Sequence, residues 1–327
     1  ISAMVVLIAR IVRTRRPVCT FATRISIVTV VENLLVIITR AGTMSLPVPK
    51  PEPAMTRKKK KSKAPTMAQK ADRHVLYERS VQAVDFEVEF LEKTYREIRG
   101  RRPKTLREDF CGTAAAACEW VKTHRDNRAV AVDIDPDVLQ WGRDNHVAKL
   151  KPAARKRIRL KNANVLDVRT PPVDILVAFN FSYWIFEKRS LLRRYFETAR
   201  AALKKNGVFF IDAYGGYESF EEQEEETEYD DFTYVWDQAL YDPITGHAEC
   251  HIHFRFPDGS ELDRAFSYQW RLWTVPELIE LLVEAGFRNP VVYWQGADED
   301  GEPNGDFFPA EHGEADAAWI VYIVAER

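Results

Sequence analysis

Residues 106–114, Leu-Arg-Glu-Asp-Phe-Cys-Gly-Thr-Ala, stand between a short β-compatible run and an alanine-rich helical pattern. Small residues where a strand turns into a helix let a ligand approach the backbone. Asp133 closes the next apolar run, in Val132-Asp133-Ile134-Asp135-Pro136, placed so that its carboxylate accepts both hydroxyls of a ribose. Dinucleotide enzymes space a glycine turn and an acid in the same way, and the glycines separate the two cases. A pyrophosphate requires Gly-x-Gly-x-x-Gly at a free helix N-terminus. Here Gly112 is the lone glycine of the turn, and Glu108 stands close to where phosphates would lie. The turn therefore suits a nucleoside without phosphates.

The elements that must hold these residues follow from periodicity. Tyr77, Val81, Val84, Val88 and Leu91 recur at helical spacing, which predicts a helix over 72–99 ending at Gly100. Strands are predicted over 105–110, 129–134, 174–181 and 208–213, with helices over 114–122, 137–150 and 188–205, the last stopped by Asn206-Gly207. Such alternation implies a parallel, doubly wound sheet. The rhythm then breaks into three β segments, 229–236, 247–256 and 262–273, punctuated by Asp242-Pro243 and Pro257-Asp258-Gly259. They predict an inserted antiparallel cap over 217–273, serving as a lid or substrate wall, or else as a homodimer contact or an extension of the core. The acidic run 221–231 reads as a solvated helix or loop. A helix over 275–285, capped by Thr274 and stopped by Gly286, and strands over 290–294 and 318–325 complete the main sheet.

Composition bounds the partners. The 327 residues carry a net charge of -2, which argues against a surface that tracks a phosphate backbone, so nucleic acid is not the expected partner. Cys19, Cys111, Cys118 and Cys250 are scattered without a CxxC pair, which fits a reducing compartment, the cytoplasm, rather than a disulfide or zinc framework. His251 and His253 share one strand face but have no third ligand, so no metal is expected. The first 43 residues contain Glu32 as their only acid, and their apolar stretches 4–9 and 25–38 are too short or interrupted for a membrane span of about 20 residues. This stretch reads as a transit peptide or as translated sequence upstream of Met44. Residues 1–70 are expected to be a disordered extension, with the basic run 57–63 in it, and 71–327 a single domain.

The ordered set of segments resembles the class I S-adenosylmethionine-dependent methyltransferases of the small-molecule type. Their first motif commonly reads as an acid, two residues, then Cys-Gly-Thr-Gly, and 108–114 match that frame. The match continues through Asp133, Asn164-Val165, Asn180-Phe181-Ser182-Tyr183-Trp184, Leu203-Lys204-Lys205-Asn206-Gly207 and the late helix from Trp273-Thr274-Val275-Pro276-Glu277-Leu278 to Gly286-Phe287, so that it covers 106–327. Phe110 and Ala114 depart from the pattern where glycine is usual, and Asn164 stands where an Asp usually reads the adenine amine. Asn164 keeps a carbonyl acceptor, and Asp167 is a neighbouring substitute.

The resemblance implies an α/β, Rossmann-like fold: a seven-stranded, mostly parallel sheet with helices on both faces and an inserted antiparallel β cap. It implies S-adenosyl-L-methionine as cofactor and in-line methyl transfer to a small-molecule acceptor. The implied donor-binding set is Tyr77, Arg107, Glu108, Phe110, Cys111, Gly112, Thr113, Asp133, Ile134, Asn164, Val165, Asn180 and Phe181. Tyr183, Trp184, Tyr214, Trp236 and Arg271 would face the acceptor, and Tyr183, Asp212, Tyr214, His251 or His253 would take its proton. Two rivals are an RNA or protein methyltransferase, suggested by the basic run, and a donor-binding protein without chemistry, suggested by the altered turn.

Overall fold

Chain direction reverses its spread at the centre of the main sheet, and that reversal sets the position of the site. The computed structural model describes residues 64–297 and 303–327, so the expectations for 1–63 lie outside the described residues. The sheet contains β1 (Thr105–Asp109), β2 (Arg128–Asp133), β3 (Ile158–Asn162), β4 (Val173–Ala178), β5 (Leu203–Gly215), β10 (Arg288–Ala297), β11 (Pro303–Ala310) and β12 (Trp319–Glu326), in the order β11-β10-β12-β5-β4-β1-β2-β3. The β1–β2, β2–β3, β1–β4 and β4–β5 pairs are parallel, and β12 runs antiparallel to β5 and β10. The chain winds outward through β1, β2 and β3, then returns to β4 on the other side of β1. In open α/β sheets the crevice at such a switch point takes the ligand.

The described sheet has eight strands where seven were expected. The additional one is β11, an edge strand paired antiparallel with β10. Its Pro309 is compatible with an edge position, and Phe307 packs against Phe86 and Tyr322. A Pro- and Gly-containing sequence hid it.

Helices cover both faces. On one side α3 (Val84–Arg99) and α4 (Ala115–Thr123) bury Val88, Leu91, Tyr95 and Trp120. On the other, α7 (Arg189–Ala202) buries Leu192, Tyr195, Phe196 and Ala199, a stripe at helical spacing. The helix expected over 72–99 is two helices, α2 (Arg73–Val81) and α3, separated by Gln82 and Ala83. Each packs on a different surface: Tyr77 of α2 meets Phe266 of the cap, while Phe90 of α3 meets Phe210 of the sheet. One straight helix cannot make both contacts.

Order also begins before residue 71. Met67–Lys70 form a helical turn, α1, closed by a Thr66–Gln69 capping box. The Met67 and Ala68 N–H groups donate to Asp258 Oδ2 (2.8 Å) and Ser260 Oγ (3.0 Å). Residues 66–70, expected to belong to the disordered extension, are therefore ordered against the cap.

The cap is a four-stranded antiparallel sheet, β6 (Gln223–Glu228), β7 (Thr233–Tyr241), β8 (His247–Arg255) and β9 (Glu261–Arg271). Three segments were expected, and the acidic run was read as helix or loop. It is instead the edge strand β6, in which Arg255 from β8 pairs with Glu224 and Glu226 and also with Glu261. A cross-strand cation offsets the repulsion that argued against a strand. Helices α5 (Pro136–Asn145), α6 (Pro152–Arg155) and α8 (Val275–Glu284) complete the α-helices of the described residues, and short 3-10 turns lie at Val147–Lys149, Ser182–Ile185 and Tyr217–Phe220.

Candidate active site

Strand β1 divides its side chains by pleat alternation. Arg107 and Asp109 point to one face and are fully buried as an ion pair, with Nε–Oδ1 at 2.7 Å and Nη2–Oδ2 at 3.1 Å. The Tyr195 hydroxyl donates to Asp109 Oδ2 (3.1 Å), and Arg107 Nη2 donates to the Val165 carbonyl (3.4 Å). Arg107 and Val165 were expected to hold the donor; Arg107 is committed to this buried pair, and neither residue lines the cavity beside the turn that follows. Glu108 points the other way and accepts the Ala117 N–H at 2.9 Å. Burial pushes its carboxyl up to about 8.

The turn that follows holds three left-handed residues, Phe110 (φ 56°), Gly112 (φ 51°) and Ala114 (φ 61°). Two are not glycine, and such positions cost about 1–3 kcal/mol each. Phe110 offsets this by packing on Tyr195 (5.5 Å) and Phe186 (5.9 Å). The Cys111 and Ala114 N–H groups bond to the Val132 carbonyl (3.0 Å) and the Cys111 carbonyl (2.7 Å). The Gly112 N–H donates to Asp133 Oδ2 (2.8 Å), while Oδ1 takes the Asp135 N–H (2.9 Å). Each carboxylate oxygen keeps a free lone pair. A Cβ at Gly112 would meet nothing within 4 Å, whereas one at Gly142 of α5 would lie 2.2 Å from the Thr113 carbonyl oxygen. Helix α5 thus presses on the back of the turn and leaves its front open.

A cavity of about 160 Å³ opens on that front. Tyr77, Glu108, Phe110, Cys111, Gly112, Thr113 and Asn180 line it, as expected for donor binding, and Asp133 adjoins it through Gly112. Ile134, 68% exposed, and Asn164 lie outside the lining, and the Asn164 Oδ1 accepts the Leu166 N–H (2.9 Å) within its own loop. Lining residues outside the expected donor-binding set include His74, Gln82, Glu87, Phe266 and Tyr268. Of these, Glu87 carried a signal as a charge beside Val84, Val88 and Leu91 on the apolar stripe of α3, and Tyr268 carried one as an aromatic residue of the cap.

None of the expected proton acceptors stands free at this cavity. Asp212 of β5 takes the Asn180 N–H on Oδ2 (2.6 Å) and the Phe181 N–H on Oδ1 (3.0 Å). Those two residues are left-handed, at φ 57° and 53°, so Asp212 clamps a strained turn. Burial nevertheless pushes its carboxyl up to about 8, against the two N–H donors. The Tyr183 hydroxyl donates to the Asp212 carbonyl (2.6 Å) and is fully buried. Phe181, Trp184 and Tyr214 pack on one another, with Tyr214 4.8 Å from both partners. Trp236 joins Trp270 (6.0 Å) and Tyr268 (6.2 Å) on the cap.

His251 and His253 alternate with Cys250 and Ile252, and so face away from them. His253 contacts Asp237 and Asp263, and His251 contacts Ser267. Arg271, expected to grip the acceptor, pairs with Glu277 (2.8 Å) over the Trp273 ring (3.8 Å). Among the described residues, no three His, Cys, Asp or Glu side chains gather to hold a metal ion.

The clamp is testable. Asp212→Ala leaves two buried N–H groups unpaired at about 1–3 kcal/mol each, so a loss of roughly 3 kcal/mol is expected in a denaturant titration. Asp212→Asn, which keeps one acceptor, should lose less. Wild-type stability in the alanine variant would contradict the clamp.

No protein-family model matches the chain, and no curated protein matches it. Solved structures do match. An S-adenosylmethionine-dependent methyltransferase from Clostridium acetobutylicum ATCC 824 matches with a TM-score of 0.58 over 76% of this chain and 96% of that one, at 15% identity. The fold is that of the S-adenosylmethionine-dependent methyltransferases. CalS10, an amino pentose methyltransferase from Micromonospora echinaspora, gives a TM-score of 0.53 at 12% identity, over 75% of this chain and 92% of that one. The sugar N-methyltransferase KedS8 from Streptoalloteichus sp ATCC 53650 gives 0.52 at 17% identity, over 84% and 99%. In this methyltransferase fold the Gly112 turn sits at the end of β1, beside the switch point to β4. No helix among the described residues is long and apolar enough to cross a membrane.

Proposed function

We propose that the chain is an S-adenosylmethionine-dependent methyltransferase that acts on a small-molecule acceptor. The observation that carries this is the Gly112 bend, open at the front and bonded to Asp133, above a cavity that Glu87 and Glu108 line with no lysine or arginine among the described lining residues. Such a lining repels phosphates and suits a cationic nucleoside. Asp133 would hold the ribose, the backbone of 111–113 would flank the thioether side, and Glu108 would lie toward the amino-acid end.

When bound, the donor supplies a methyl carbon made electrophilic by its positively charged sulfur. The chain contributes alignment and exclusion of water. The Tyr77, Phe266 and Tyr268 rings on the α2 and cap side tolerate that cation on their faces. His74 is the best-placed base, because it lines the cavity against Phe266 (5.9 Å). Burial and the neighbouring Arg73 lower its imidazole from the ordinary histidine value, which favours the neutral form that accepts a proton. The cap over 217–273 serves as the acceptor wall, a reading supported by Phe266 and Tyr268 of β9 in the lining. Calorimetry with the donor and with its demethylated product tests the assignment, and binding of neither rejects it. Incubation with labelled donor and a metabolite extract, followed by mass spectrometry, then identifies the acceptor by its gain of a methyl group.

A further inference from the structure

Glu87 is placed where a helix normally buries an apolar side chain. It is 7% exposed, lines the cavity, and has the buried Val88 and Leu91 as companions on α3. The Ala83 N–H at the start of its own helix is its hydrogen-bond donor. Glu108, 8% exposed, lines the same cavity and takes one N–H, from Ala117. The charged or titratable groups around this pair are the carboxyls of Asp133, Asp109 and Asp212, the hydroxyls of Tyr77, Tyr268 and Tyr322, the thiols of Cys111 and Cys118, and the His74 imidazole in the same lining. Asp109 is already neutralised by Arg107 on the other side of β1. No lysine or arginine lines the cavity.

Two buried carboxyls in one cavity do not both ionise without a cation beside them. Burial pushes Glu87 up to about 7 and Glu108 up to about 8, so the ligand-free pair retains a proton at neutral pH. A metal ion does not suit the place, because among the described residues no third ligand joins the two. A single primary ammonium, with three N–H donors and one charge, satisfies both acids at once.

We infer that Glu87 joins Glu108 in seating the ammonium group of the donor's amino-acid end, and that this ligand enters with release of a proton from the pair. The inference rests on the donor assignment above. Glu87 acts as a specificity residue: it separates the complete ligand from a nucleoside thioether that lacks the amino-acid end.

The test uses S-adenosylhomocysteine and 5′-methylthioadenosine, which share the nucleoside and sulfur but differ in that end. Calorimetry on wild type and Glu87→Gln should show S-adenosylhomocysteine weakened about tenfold or more in the variant, with methylthioadenosine unchanged. Retained methylthioadenosine binding also shows that the variant is folded. At pH 7, in two buffers of different ionisation enthalpy, the wild type should release a proton with S-adenosylhomocysteine and none with methylthioadenosine. Equal losses for both ligands, no loss for either, or no proton release would overturn the assignment of Glu87 while leaving donor binding intact. Failure of wild type to bind either ligand would overturn the donor assignment, and this inference with it.

Discussion

Arg107→Met is expected to lower the free energy of unfolding by about 3–5 kcal/mol, the usual cost of stripping one partner from a buried ion pair. Arg107 and Asp109 are both completely buried and doubly hydrogen-bonded to one another. Burial raises the Asp109 carboxyl from its ordinary value, and Arg107 and the Tyr195 hydroxyl pull it back. Without the guanidinium, Asp109 must protonate or remain charged among apolar side chains. Domains of this size are stable by about 5–15 kcal/mol, so the variant should be marginal at room temperature. The double variant Arg107→Met/Asp109→Leu removes both charges and should recover most of the loss. Denaturant midpoints check both statements. A single variant within about 1 kcal/mol of wild type would mean that the pair is hydrated in solution.

The second large effect concerns binding. Asp133→Ala should weaken the donor and its demethylated product roughly 10²-fold, since hydrogen bonds to a charged acceptor contribute about 1.5–3 kcal/mol each. It should weaken 5′-methylthioadenosine equally, because that ligand carries the same ribose. This pattern is the opposite of the one expected for Glu87→Gln, so the two acids can be told apart by one pair of ligands. Unchanged affinity in Asp133→Ala would remove the ribose assignment.

Much of the scaffold was legible because its cues are local. The α7 stripe, the Gly100 stop of α3 and the Thr274 cap of α8 each follow from a few neighbouring residues, and strand and helix alternation led to the parallel core. The Gly112 turn and Asp133 were legible for the same reason. What escaped depends on partners far away in sequence. Strand β6 needs Arg255 to hold its glutamates, and β11 needs β10 and the aromatic patch at Phe86 and Tyr322. The break at Gln82-Ala83 contains neither Pro nor Gly, and only the two packing surfaces of α2 and α3 explain it. The proton acceptors failed together, since Asp212, Tyr183 and His253 each have a partner that is invisible until the chain is folded. Arg107 was assigned to the ligand because nothing in a five-residue strand says which face of the pleat meets the cavity.

The side chains at Phe110 and Ala114 have a kinetic and entropic consequence. A loop built from glycines samples many shapes before a ligand arrives, and association must then freeze it. With a ring wedged at one left-handed position and a methyl at another, this loop has surrendered that freedom during folding. Under the proposed donor assignment this stiffness spares the incoming nucleoside the ordering penalty, so freedom given up in folding favours tighter capture.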